Sequence, residues 1–290
     1  MRILVTADLH YDIARSREPA RDLARRAVQA GGDALVLLGD TAGRELGPFA
    51  ECLRLFADFP GRKLLVPGNH CLWCRAGETS MQRYEQVLPD LAASEGFAVL
   101  DHRPEVLGDV GLAGSIGWYD YSLRDESLGI PVEFYRVKMA PGAAGRLGEH
   151  ADILERYKGV LGERQLSIVT RWMDGWNVRL GSSDEEFLAL LAGKLRRQLA
   201  DLSARSQRIV AFLHHVPFAE LVPPGRPDRF AFAAAYMGSP LLGRVLQEFP
   251  AVRDVYCGHT HWPGVHQIGP IRVVNVGSTY TEKHMEVLDI

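Results

Sequence analysis

Three things are scarce in this chain of 290 residues, and each scarcity excludes a class of protein. There are four cysteines, Cys52, Cys71, Cys74 and Cys257. That is too few for the disulfide framework of a small secreted scaffold. Cys71 and Cys74 form one C-x-x-C, but no second pair follows and no thioredoxin-like setting surrounds it, so reduced packing cysteines are the expectation. Long apolar runs are missing too: none approaches the roughly 20 residues of a membrane span. Met1 passes within two residues into the apolar run Ile3-Leu4-Val5, which leaves no room for a signal peptide, and a cytoplasmic protein is expected. Excess charge is the third absence. A net charge of -3 gives no basic footprint for nucleic acid. The short cluster Lys194, Arg196 and Arg197 reads as a solvated helix face. With 47% hydrophobic and 24% charged residues, the rest is ordinary for a globular protein of one large domain or two small ones.

What is present is a rhythm of strand, loop and helix. Arg2 to Ala7, Ala34 to Leu38 and Lys63 to Val66 are apolar runs of strand length. Between them Pro19 to Ala30 and Pro48 to Phe59 suit helices, the first stopped by Gly31-Gly32. Ser80 to Leu88 suits a further helix that Pro89 should end or kink. Short strands are expected at Ala98 to Leu100, Pro104 to Leu107 and Val110 to Ala113. From Tyr119 to Ser206 the strand pattern fails, and helices are expected at Gln165 to Trp176 and Ser183 to Leu202. Ser183 with Glu186 three residues on forms a capping box. Trp172 and Trp176, one turn apart, are expected to be a packing stripe. The strands then resume at Arg208 to Leu213, Val252 to Cys257, Val265 to Ile268, Ile271 to Val276 and Glu286 to Ile290, with a helix at Leu241 to Glu248. This alternation is the signature of a layered α/β fold.

Five of these strands end in residues that ligate metals. They are Asp8-Leu9-His10, Gly39-Asp40, Gly68-Asn69-His70, His214-His215 and Gly258-His259-Thr260-His261. One such loop is weak evidence; five converging strand ends suggest a two-metal site. Carboxylate and imidazole without thiolate suit Mn²⁺, Fe or Zn²⁺ and argue against Ca²⁺ or a sulfur site.

In order, these five blocks resemble those of the calcineurin-like metallophosphoesterases, over residues 1–115 and 207–280. The resemblance implies a four-layer α/β/β/α sandwich of two mixed sheets; it does not cover 119–206, where the missing strand pattern is read as a helical insertion or cap within one domain over 1–290. It implies that Asp8, His10 and His261 hold one metal, that Asn69, His259 and one of His214 and His215 hold the other, and that Asp40 bridges. His214 is favoured, because the family usually uses the first histidine after the strand. His70 would face the substrate as proton or hydrogen-bond donor, a task that suits an imidazole near neutral pH. The implied reaction is phosphoester hydrolysis by a metal-bridging hydroxide attacking in line with the leaving group.

The chain also departs from its relatives. Three residues after Asp40 the protein Ser/Thr phosphatases carry an Asp and the purple acid phosphatases a Tyr; here stands Gly43, so neither branch fits. Arg44 matches the following Arg of the Ser/Thr phosphatases and is a candidate phosphate contact, set against a merely solvent-facing side chain. Cys71 stands where many relatives are acidic, which leaves open what orients His70. Trp118 and Tyr119 are candidates for stacking on substrate at the rim, although packing under the insertion is the stronger reading. Asn275 to Ser278 reads as a structural turn, and His102, His150, His266 and His284 are given no role. A small phosphodiester or phosphomonoester is the expected substrate, with no membrane partner. A nuclease lacks its basic groove. A non-catalytic scaffold is disfavoured because every ligand position and His70 are filled.

Overall fold

The computed structural model describes residues 1–225 and 227–290. Among the described residues, eleven strands form two sheets. They are β1 (Arg2–Thr6), β2 (Ala34–Leu38), β3 (Arg62–Val66), β4 (Ala98–Val99), β5 (Glu105–Leu107), β6 (Val110–Ser115), β7 (Arg208–Leu213), β8 (Val252–Cys257), β9 (Gly264–Ile268), β10 (Ile271–Asn275) and β11 (Glu286–Asp289). The first sheet runs β11-β1-β2-β3-β4 and the second β5-β6-β7-β8-β10-β9. Each is parallel in its centre, and the antiparallel partners β11, β5 and β9 lie at edges. Strands covered on both faces read as near-continuous apolar runs, as β2 does, whereas the edge strands β5, β9 and β11 are only partly buried.

Alternation along each strand sorts the residues into layers. Ile3, Val5, Val36, Leu38, Leu64, Val66, Val210 and Phe212 form a core between the sheets. Leu4, Leu35, Leu37, Leu65, Ile209, Ala211 and Leu213 face outward into the core shared with the helices. The result is the expected α/β/β/α sandwich. No helix among the described residues is long and apolar enough to cross a membrane.

Three local expectations are refined. Pro89 does not end its helix. A π-helical turn, Arg83–Val87, opens just ahead of it, and an α-helix, Leu88–Ser94, continues with Pro89 in its first turn. Proline lacks an N–H and crowds the carbonyl four residues back, and a wider turn relieves both. The same turn buries Arg83, whose guanidinium donates to the carbonyls of Gly43 (3.3 Å) and Arg44 (2.6 Å). The helix expected at 165–176 is two short pieces, Glu163–Ser167 and Asp174–Asn177, with Arg171 between them bridged to Met139. Finally, the stretch 119–206 divides. Its last part is the long helix Asp184–Ser203, started by the expected Ser183–Glu186 capping box. That helix packs on β6 and β7 and belongs to the outer layer, so the stretch that caps the strand ends is 119–183.

Candidate metal centre

The parallel strands deliver their chemistry at one edge. Asp8 and His10 follow β1, Asp40 follows β2, Asn69 and His70 follow β3, His214 follows β7 and His259 follows β8. Backbone bonds tie these loops together: Asp8 N–H donates to Gly39 O at 3.1 Å, His10 N–H to Asp40 O at 2.7 Å and Gly258 N–H to His214 O at 3.1 Å. His259 N–H donates to the Asp8 carboxylate across the two sheets at 3.1 Å. Positive φ in a non-glycine residue is uncommon and collects at functional sites. Asp8, His10, Asp40, His259 and His261 all adopt it, at 57°, 44°, 47°, 69° and 55°. Two glycines let the loops close. A Cβ on Gly39 would sit 2.0 Å from His214 Nδ1, and one on Gly68 would sit 2.2 Å from Asp40 Oδ1.

Among the described residues, three trios bring ligand atoms within 4.8 Å of one another: Asp8-His10-His261, His10-Asp40-His70 and Asp40-His214-His259. Asp40 stands between them. Its Oδ2 lies 3.6 Å from His10 Nε2 and 3.9 Å from His70 Nε2, and its Oδ1 lies 3.5 Å from His214 Nε2. Asn69 Oδ1 is 3.3 Å from His214 Nε2, which in turn is 3.2 Å from His259 Nδ1. The outward-facing ring nitrogens are engaged by backbone carbonyls: His214 Nδ1 by Leu38 (3.1 Å), His259 Nε2 by Tyr236 (3.1 Å) and His261 Nδ1 by Ser278 (2.7 Å). Such bonds set the tautomer of a metal-binding histidine. Of the adjacent histidines, His214 points into this group. His215 turns its Nδ1 to Ile116 O at 2.9 Å and joins none of the trios.

The site is built for cations. Both ring nitrogens of the fully buried His10 lack a hydrogen-bond partner, a costly state that a bound ion would relieve. Burial also holds His10 and His259 well below the ordinary imidazole range, as the neutral rings a metal needs. For Asp40, burial acts upward, but His70 and His214 override it and keep the carboxyl well below its usual value. For His214, burial acts downward, yet Asp40 wins and raises it to about 9. Burial raises the Asp8 carboxyl. The residues present therefore fit a pair of divalent ions.

His70 is oriented by a residue that sequence reasoning missed. Its ring stacks on Trp73 with centroids 3.8 Å apart and 22° between planes. The turn His70–Leu72 places Trp73 there, so an aromatic three residues after the histidine was the available signal. Asp174 was missed as well. It is 1% exposed and accepts from Asn69, Trp73, Tyr119 and Trp172. Nothing in the local sequence marks it.

The substrate candidates divide. Trp118 and Tyr119 are wholly buried, with their polar atoms engaged by Asp184 and Asp174, so they pack under the insertion and line no rim. Arg44 is exposed and donates to Asn177 Oδ1. Trp172 and Trp176 form no stripe: Trp172 stacks on Tyr236 at 5.0 Å, while Trp176 is exposed under the Arg171 guanidinium. Cys71 and Cys74 are free and buried. Burial raises the Cys71 thiol to about 12, so Cys71 is inert packing.

Comparison with known proteins agrees with this geometry. No curated protein matches the chain. Among solved structures, the phosphopantetheinyl hydrolase from Mycobacterium tuberculosis aligns at a TM-score of 0.68 and 17% identity, over 95% of this chain and 89% of that one. A dimetal phosphatase from Danio rerio aligns at 0.54 and 14%, over 99% and 91%. At these identities the likeness is one of fold. The calcineurin-like phosphoesterase family model matches residues 1–263, most of the chain. With five ligand-bearing strand ends on that family's fold, the chain belongs to the calcineurin-like phosphoesterases and is a phosphoester hydrolase.

Proposed function

We propose that the chain hydrolyses a small phosphodiester or phosphomonoester at a dinuclear centre. Asp8, His10 and His261 would hold one ion and Asn69, His214 and His259 the other, with Asp40 shared. The observation that carries this reading is Asp40: its two oxygens face two separate ligand groups, with the unpartnered His10 nitrogens beside one of them. Mn, Fe and Zn all suit this nitrogen and oxygen set. When bound, two such ions supply an activated water and neutralise phosphoryl oxygens.

The chain's own residues do the rest. His70, His261 and Tyr280, whose ring centroid lies 4.9 Å from that of His10 and 5.1 Å from that of His261, are the partly exposed groups here, so substrate approaches from their side. His70, held flat on Trp73, gives a proton or hydrogen bond to the leaving oxygen. The exposed Arg44 is the candidate contact for a phosphate oxygen. Free, buried cysteines fit a cytoplasmic setting.

The test is hydrolysis of an aryl phosphodiester, its monoester and a phosphopantetheinyl diester, with added Mn²⁺ and with chelator, by wild type and His70→Ala. The phosphopantetheinyl arm is prompted by the similar fold of the hydrolase that carries that name. Chelator-sensitive turnover that the mutant loses supports the reading, and the preferred ester sets the substrate class. Tight metal binding with no turnover of any ester would sink it.

A further inference from the structure

The insertion contributes one buried anion to the back of the site. Asp174 begins the four-residue helix Asp174–Asn177 and is 1% exposed. Its Oδ1 accepts from Asn69 Nδ2 at 3.0 Å and from Trp73 Nε1 at 2.7 Å. Its Oδ2 accepts from Asn69 Nδ2 at 3.2 Å, the Tyr119 hydroxyl at 3.0 Å and Trp172 Nε1 at 2.8 Å. All four donors are uncharged.

A carboxylate only accepts. Facing it, Asn69 must present its NH₂ to Asp174 and turn its Oδ1 the other way, toward His214 Nε2 at 3.3 Å. That oxygen is the one atom of the amide that can ligate a metal. The same carboxylate pins Trp73, on whose face the His70 ring lies. A buried carboxylate held by neutral donors is expensive unless opposite charge is near. Cations on the far side of the Asn69 amide would provide that charge.

We infer that Asp174 is a positioning residue through which the insertion sets both the Asn69 ligand oxygen and the plane of His70, an inference that rests on the two-metal reading above. The molecule carries its own control. Asp184 is a second buried hub, accepting from Trp118 Nε1 at 2.7 Å, the Tyr121 hydroxyl and Lys138 Nζ. It holds the insertion to the body and bonds to none of the candidate ligands.

The experiment compares wild type, Asp174→Ala, Asp174→Asn and Asp184→Ala as whole chains. Bound Mn²⁺ is counted by elemental analysis after dialysis, and stepwise affinities are taken from calorimetry. Wild type should bind two ions. Asp174→Ala should keep the first and bind the second about 10- to 100-fold more weakly, the usual cost of losing an outer partner of a ligand. Asp174→Asn retains one acceptor and should fall between; it is read alone if the alanine variant does not fold. Asp184→Ala should melt lower yet bind both ions as wild type does. Second-ion affinity unchanged in the folded Asp174 variants overturns the inference. So does an equal loss in Asp184→Ala, which would make the effect one of insertion integrity. A wild type that binds fewer than two ions defeats the two-metal reading itself, and the inference with it.

Discussion

The strand-end loops and the insertion meet at Asn69, but they are built differently. In the loops, the hydrogen bonds that hold the polar side chains come mostly from backbone of neighbouring strand ends, and positive φ recurs from ligand to ligand. In the insertion, short helices are held by side chains reaching across long sequence separations, as Asp174 does to Asn69 over 105 residues. The first arrangement is locally encoded, in a strand, a glycine and a ligand. The second depends on what the chain meets after folding. Rigid positions for metal-binding side chains come from the parallel sheets; the orientation of an amide or a ring is added by a variable segment laid on top.

The contrast can be broken from either side. The largest effect is expected at His70. His70→Ala should lower kcat by about 10²- to 10⁴-fold, the range of a lost general acid, with metal content unchanged. Loss of metal would show that His70 belongs to the ligand set.

Next comes Gly68→Ala. Its Cβ would land 2.2 Å from Asp40 Oδ1, so the loop or the shared carboxylate must move. A loss of about 1–3 kcal/mol in stability is expected, together with weaker binding of both ions. Denaturant melts and metal counts on one preparation would check it. A stable variant with full metal content would show that the loops are less tightly specified than this close approach implies.

The centre should also be linked to pH. His214 is raised to about 9, so in the metal-free chain it is protonated through neutrality. A raised folded pKa stabilises the metal-free chain fully below the ordinary imidazole value, and that stability is lost as pH rises through about 9. Metal binding runs the other way, because the ion must displace the proton. Affinity of the site containing His214 should fall about tenfold per pH unit below 9 and level off above it. Calorimetry in buffers of different ionisation enthalpy reads the released proton directly, and no proton release would contradict the assignment of His214.

The smallest effect is expected far from the metals. Ser183→Ala removes the cap of the helix Asp184–Ser203 and should cost about 1 kcal/mol with metal affinity unchanged. A thermal melt with and without Mn²⁺ would check both halves.

Much of this was legible before folding was considered. Runs of strand length found the eleven strands of the described residues; the central ones, such as β2, are buried throughout and unbroken, while β8 carries Arg253 and Asp254 and the edge strands β9 and β11 are partly polar. The capping box found the start of the long helix because its signal lies within four residues. Pro89 did not end its helix; it sits just past a π turn, which absorbs it. The expected helix at 165–176 misled because Asp174 and Trp172 follow partners in the body rather than a helical period. The five ligand-bearing loops were legible in order along the chain, and the family with its phosphoester chemistry was expected from their resemblance to its motif blocks. Asp40 as the shared residue and His214 over His215 were expected from the resemblance, and the structure turns His214 inward; the Trp73 face beneath His70 and the Asp174 contact behind Asn69 were decided by tertiary structure alone. The physical reason is distance along the chain. A strand and its loop are short-range objects, whereas the direction of a ring or an amide is set by whichever donor or acceptor the fold brings against it.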